Sequence, residues 1–347
     1  MPLETNVKKN KVIVIAEAGV NHNGDLEMAK ELINVAAKAG ADYVKFQTYK
    51  TENLVTPTAE QASYQKENTG GEETQFQMLK RLELKYEDHY ELKEYAIKKG
   101  IKFLSTAFDD DSIDFLFSLG IDFYKIPSGE ITNYFYLRNV AKKGLPIVLS
   151  TGMSNMEDIR NALEVLNEFG VDKKNITVLH CNSQYPSPVE DVNLSAMLTI
   201  QKEFGVAVGY SDHTAGIEVS IAAVAMGATV IEKHFTLDKN LPGPDHKASL
   251  EPIELEKYIE QVRLTEKMLG NGIKEPSESE KVNLIPGRKS IVAKTDLKPG
   301  HIITIDDLSV KRPGDGICPT KAESLVGKKT INKLSKDQQI LMTDLEK

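Results

Sequence analysis

Short apolar runs and longer amphipathic runs alternate along the chain from residue 12 to about 270. The apolar runs read as buried strands because they are short and rich in β-branched and aromatic residues. They are VIVIAEA (12–18), YVKFQTY (43–49), IKFLSTAF (101–108), FYKIPSG (123–129), PIVLSTG (146–152), ITVLHCN (176–182), AVGYSDH (207–213) and VIEKHFT (230–236). Each is followed by a run with helical spacing, such as DLEMAKELINVAAKAG and NMEDIRNALEVLNEFG, and many of these close on a Gly, as helix C-termini do. Eight such units in about 260 residues predict an α/β fold, a (β/α)8 TIM barrel. A doubly wound open sheet is the alternative, but no Gly-rich phosphate loop follows the first strand.

The second connection breaks the rhythm. Residues 50–86 form a long polar stretch before the second helix, read here as a loop that covers an active site, with a plain surface insertion as the alternative. Past residue 270 the pattern changes again. Residues 271–284 read as a polar linker, and 285–347 as a compact module of short strands and turns such as KPG and RPG. A module this small gains stability by docking on a barrel, its own or a partner's. The domains are therefore 1–270, the linker 271–284, and 285–347.

Composition changes this picture little. The 347 residues are 40% hydrophobic and 27% charged, enough apolar content for a sizeable core. Cys181 and Cys318 give no framework spacing. With no targeting segment at the N-terminus, free thiols in a reducing cytoplasm are expected. No apolar run reaches membrane-spanning length. A net charge of −8 argues against a nucleic-acid surface. An acidic chain that binds an anion must gather its cations locally.

That gathering is visible at the strand ends, where a TIM barrel carries its active site. They hold Glu17, Lys45, Gln47, Thr106, Lys125, Ser128, Ser150, Ser183, Ser211, His213, Glu232 and His234. Strand alternation puts Lys45 and Gln47 on one face, and Glu232, His234 and Thr236 on another, opposite Ile231, Lys233 and Phe235. Buried ammoniums need anions. Either Lys45 and Lys125 pair with Glu17, Glu130 or Glu232, or they and neighbouring hydroxyls hold a ligand carrying phosphate and carboxylate. His213 and His234 end adjacent strands and suit a divalent metal; core packing is the alternative for each. His180 and Cys181 read as core, and His22 and His246 as loop residues at the surface or the mouth.

At these residues the chain resembles the sialic acid synthase family from end to end. The resemblance rests on IAEAGVNHNGDL (15–26), VKFQTY (44–49), FLSTAF (103–108), YKIPSGEITN (124–133), VLSTGM (148–153), GYSDHTAG (209–216), IEKHFTLDK (231–239), PGPDHKASLEP (242–252) and VKRPGDGI (310–317). It implies a C-terminal antifreeze-like (SAF) domain. It also implies phosphoenolpyruvate held by Lys45, Lys125, Thr106, Ser128, Ser150 and Ser211, with Glu17 beside the metal-bound water or the reacting carbons. Gln47, Phe108, Ser183 and Arg288 would complete the substrate-binding set. Glu130, Tyr185 and Asp245 would contact an N-acyl mannosamine-type sugar. His213 and His234 would hold Mn2+, with Mg2+ or Co2+ as other candidates. Arg312 would enter the barrel of a second subunit, making a domain-swapped homodimer.

Ser183 stands where N-acetylneuraminate members carry Asn, and Arg288 where they carry Phe. These departures, with IPSGEITN and PDHKASLEP, resemble the branch that makes N,N′-diacetyllegionaminate from 2,4-diacetamido-2,4,6-trideoxymannose. N-acetylneuraminate synthesis is the alternative, then a pseudaminate-type acceptor. A Schiff-base aldolase using Lys125 and an ice-binding C-terminal module are the readings from other classes.

Overall fold

The computed structural model describes residues 11–71 and 73–346; the first ten residues of the predicted barrel domain, and Lys347, lie outside them. The chain divides into two compact units, Met1–Asn271 and Gly272–Lys347. All but the first residue of the stretch read as a linker, 271–284, falls in the second unit, and the stretch contains a short helix, Glu278–Lys281.

The first unit is a TIM barrel of eight parallel strands. They are β1 (Ile13–Gly19), β2 (Tyr43–Thr48), β3 (Lys102–Ala107), β4 (Tyr124–Ile126), β5 (Ile147–Ser150), β6 (Ile176–Cys181), β7 (Ala207–Asp212) and β8 (Val230–His234). The ladder runs β3-β2-β1-β8-β7-β6-β5-β4. At the remaining seam β3 and β4 approach each other outside the ladder. There Tyr136, on the helix Tyr134–Ala141, donates from its hydroxyl to the Ala107 carbonyl at 2.8 Å. The fourth strand is shorter than the sequence predicts. Pro127 has no N–H to offer the ladder, and the chain turns at once into a 3-10 turn, Ser128–Glu130.

Outer helices pack on the barrel through one stripe each. The helix Leu26–Ala39 buries Ala29, Leu32, Ile33 and Ala36, the spacing that puts side chains on one helical face. Asp25 caps its start by accepting from the Met28 N–H, and Gly40 ends it at φ 84°, a left-handed conformation that suits glycine. A continuous apolar core joins the barrel and its helices.

The segment 50–86 differs from the predicted loop. It carries three helices, Thr51–Leu54, Ser63–Thr69 and Gln75–Leu82. The last is opened by Thr74, which accepts from the Gln77 N–H while Gln77 reaches back to the Thr74 N–H. A separate apolar cluster of Val20, Tyr49, Met78 and Leu82, flanked by Leu54, Leu79 and Phe108, fixes this segment to the barrel mouth.

The second unit pairs β9 (Ser290–Ala293) with β10 (Leu308–Lys311) antiparallel. It encloses its own small core, which includes Ile291, Leu297, Ile303, Leu325, Leu334 and Ile340. Among the described residues, no helix is long and apolar enough to cross a membrane.

Candidate active site

Parallel register brings the strand-end side chains together. Glu17 on β1 lies level with Lys45 on β2 and with His234 on β8. Ser211 on β7 lies level with Glu232 on β8. A register shift between Glu17 and Gly19 bends the end of β1. Gly19 there has φ 53°, and a Cβ would sit within 3.3–3.5 Å of Glu17, Gln47 and His234. The bare backbone keeps that space clear.

These side chains line one cavity of about 480 Å³, which every barrel residue singled out as a site candidate in the sequence reaches. Its floor is charged and buried. Lys45 Nζ lies 2.7 Å from Glu17 and 3.5 Å from Glu232, and donates to Thr106 Oγ1 at 3.1 Å. Lys125 Nζ lies 3.1 Å from Glu232, which also accepts from the Ser211 hydroxyl at 2.9 Å. Of the two readings of the lysines, the ion pairs are therefore present, to Glu17 and Glu232 and not to Glu130. They leave the anion reading open, because the same ammoniums face the cavity.

The carboxyls of this network diverge. Burial raises Glu17 to about 7, against the pull of Lys45. Burial works the same way on Glu232, but Lys125 and Lys45 outweigh it and hold that carboxyl well below its usual range. For Lys45, burial opposes the charge, while Glu17 and Glu232 overcome it and raise the ammonium. The Ser150 hydroxyl is buried without a partner, a polar atom that an anion would satisfy.

The two histidines stand side by side, ring centres 5.5 Å apart. His213 Nδ1 lies 2.5 Å from the Asn182 carbonyl. A carbonyl only accepts, so Nδ1 carries the proton and Nε2 presents its lone pair. Tyr185 donates its hydroxyl to that nitrogen at 2.9 Å and stacks on the ring at 4.1 Å. His234 Nδ1 is buried without a hydrogen bond, 4.0 Å from Asp245. Burial keeps both imidazoles neutral at pH 7, His213 at about 4 and His234 well below its ordinary value. Burial also lifts Asp245 to about 6. Two neutral imidazoles with a carboxylate at hand fit a divalent cation, although no group of three or more His, Cys, Asp or Glu among the described residues forms a ready ligand set.

Several residues fall elsewhere than expected. His22 and His246 are buried, neither at the surface nor among the residues that line the cavity: His22 accepts from the Gly24 N–H, and His246 bonds Thr236. Arg288 and Arg312 belong, as the sequence placed them, to the second unit, where both are exposed and Arg312 Nε donates to the Gly287 carbonyl at 3.1 Å. Two features escaped the sequence reading. Glu232, there only one of several possible lysine partners, is the hub of the floor. Tyr64, from the covering segment, stacks on Tyr185 at 5.1 Å. Alternation with His234 was the available signal for the first; nothing local marked the second.

Comparison with known proteins then adds lineage to geometry. Residues 32–274 match the model of the NeuB family, and residues 288–346 match the SAF domain. The N,N′-diacetyllegionaminic acid synthase of Campylobacter jejuni is 51% identical over 95% of this chain and 99% of its own. That of Legionella pneumophila is 49% identical over 96% of this chain and 94% of its own. A crystal structure of N-acetylneuraminic acid (sialic acid) synthetase from Leptospira borgpetersenii is 37% identical. It covers 79% of this chain and 90% of its own, with a TM-score of 0.70.

Proposed function

The chain belongs to the NeuB family, and from that premise we propose that it condenses phosphoenolpyruvate with 2,4-diacetamido-2,4,6-trideoxymannose to give N,N′-diacetyllegionaminate and phosphate. The enzyme class, a nonulosonate synthase, follows from the family; the acceptor is the finer step. The observation that carries it is identity of 51% and 49%, over nearly the whole chain, to two N,N′-diacetyllegionaminic acid synthases.

The floor suits the donor. Lys45 and Lys125 hold the carboxylate and phosphate, and Thr106, Ser128, Ser150 and Ser211 supply neutral hydrogen bonds, a preorganised field for a charge that moves during reaction. His213 and His234 would hold the divalent cation, Mn2+ before Mg2+ or Co2+, which when bound polarises the acceptor aldehyde oxygen. Carbon 3 of phosphoenolpyruvate forms the new bond to the aldehyde carbon, and the aldehyde oxygen takes up a proton. Water adds to carbon 2 and loses a proton, and the bond between carbon 2 and the phosphate oxygen breaks to release phosphate. Glu17 lies beside the reacting carbons, with Gln47 next to it. Glu130, Tyr185 and Asp245 border the sugar, with Ser183 and Phe108 on the remaining walls.

One steady-state experiment with phosphoenolpyruvate as donor tests acceptor and metal together. The diacetamido sugar should show the higher kcat/KM against N-acetylmannosamine. Chelation should abolish turnover, and added Mn2+ should restore it. Preference for N-acetylmannosamine would overturn the acceptor, and turnover that survives chelation would overturn the metal.

The domain-swapped homodimer is part of the same proposal, with Arg312 of the partner subunit completing each barrel. Arg312→Ala should then lower kcat by at least about tenfold, with unfolding of the barrel unchanged. Mixing it with a Lys125→Ala chain under conditions of subunit exchange should regain activity. No recovery in mixed dimers of confirmed composition would refute the swap.

A further inference from the structure

The cavity has two walls of opposite chemistry. Its floor is the charged network of strand ends. Its roof, from the covering segment, presents an apolar patch of Leu54, Val55, Met78 and Leu79, backed by Val20 and Phe108, with Tyr64, Gln65 and Gln75 beside it. The basic side chains of the roof helix Gln75–Leu82 are engaged elsewhere: Lys80 pairs with Glu52 and Glu83, and Arg81 with Glu73. Among the described residues that line the cavity, no lysine or arginine comes from the roof.

Geometry sets which end of the acceptor meets this wall. The aldehyde must reach the floor, where the lysines and the two imidazoles stand, so the non-reacting end of the sugar extends toward the roof. A hydroxymethyl or phosphate placed against the patch of Leu54, Val55, Met78 and Leu79 loses water and gains no partner from those side chains. A methyl group gains by the same burial. We propose that this apolar roof sets acceptor preference, favouring methyl-bearing groups at the far end of the sugar, a 6-deoxy carbon and a 4-acetamido methyl, over a hydroxymethyl or a phosphate. The inference rests on the acceptor reading given above and assigns it to particular residues.

The test compares kcat/KM for the diacetamido sugar, N-acetylmannosamine and its 6-phosphate in the parent, Leu79→Gln, Leu79→Met and Val55→Thr, each checked by thermal unfolding. The parent should prefer the diacetamido sugar and turn over the phosphate least. Leu79→Gln should lower the ratio of diacetamido sugar to N-acetylmannosamine by about tenfold, the low end of what one methylene commands in an apolar pocket. Leu79→Met, which conserves volume and apolarity, should keep the ratio. Val55→Thr adds a hydroxyl with little change of shape and should lower the ratio in the same direction; it decides the matter if Leu79→Gln fails to fold. An unchanged ratio in folded Val55→Thr and Leu79→Gln, with the parent still preferring the diacetamido sugar, overturns the roof and leaves the acceptor reading intact. A parent that does not turn over the diacetamido sugar overturns both.

Discussion

Glu232→Gln is expected to lower kcat/KM by at least about 100-fold, the loss that a small misplacement of substrate-positioning groups produces, and to destabilise the fold by about 3–5 kcal/mol. The change keeps the shape and the hydrogen bond from Ser211 but removes the charge opposite Lys125 at 3.1 Å and Lys45 at 3.5 Å. Lys45 keeps Glu17 at 2.7 Å. Lys125 has no second carboxylate among the described ion pairs, so its ammonium is left buried and uncompensated. Anions give an independent readout. Saturating phosphoenolpyruvate or inorganic phosphate should raise the unfolding temperature more in Glu232→Gln than in the parent, because the bound anion replaces the missing charge and stabilises the state that binds it. Parent-like turnover, or an equal anion effect in both proteins, would remove Glu232 from the centre of the floor.

Lys233→Met should cost about 3–5 kcal/mol in denaturant unfolding, because it strands a buried carboxylate. Lys233 is fully buried on the opposite face of β8 from Glu232 and His234. Its Nζ lies 3.1 Å from Asp212 and donates to the Thr214 carbonyl at 2.6 Å. Asp212 also accepts from the Thr214 N–H, the Thr214 hydroxyl and the Ser220 hydroxyl. Burial lowers the Lys233 ammonium, with Asp212 pulling the other way. The residue between the Asp212 and Thr214 anchors is His213, so this network holds the backbone that carries one of the two facing imidazoles. A cycle with Asp212→Asn should show the double variant less destabilised than the sum of the singles. Strict additivity, or a loss under about 1 kcal/mol, would show that the pair does not bear this strain.

The contrast between Glu232 and Lys233 shows how far the sequence could be read. Period-two alternation separated Glu232 and His234 from Lys233 correctly, because parallel strands keep strict sidedness. It could not say that Lys233 has a buried partner, since Asp212 is 21 residues earlier and meets it only through the β7–β8 ladder. The eight strands were legible for a related reason: each is buried on both faces, and its apolar run is bounded by polar strand ends. Strand β4 ended early because a proline stopped its ladder. The covering segment was misread as loop because its helices are short, and their few apolar residues pack against one another and the barrel mouth more than along one helical stripe. His22 and His246, read as loop residues at the surface or the mouth, are buried instead, and nothing in the sequence marked Gly24 and Thr236 as their partners in the interior. The site itself was visible as a list of strand-end residues; its wiring, with Glu232 between two lysines, was not.

The origin of the two cavity walls has a consequence for how such an enzyme changes over generations. Floor residues are dispersed over the strand ends from Glu17 to His234, and most answer to one another through buried charge. Roof residues Leu54, Val55, Met78 and Leu79 fall within one stretch of the chain, and Leu54, Met78 and Leu79 belong to an apolar cluster separate from the barrel core. Substitutions there are screened by a different part of the structure from those that sustain the condensation. Preference for a sugar can thus drift, or be grafted from a relative by exchanging a few dozen consecutive residues, while the reaction beneath it is inherited unaltered.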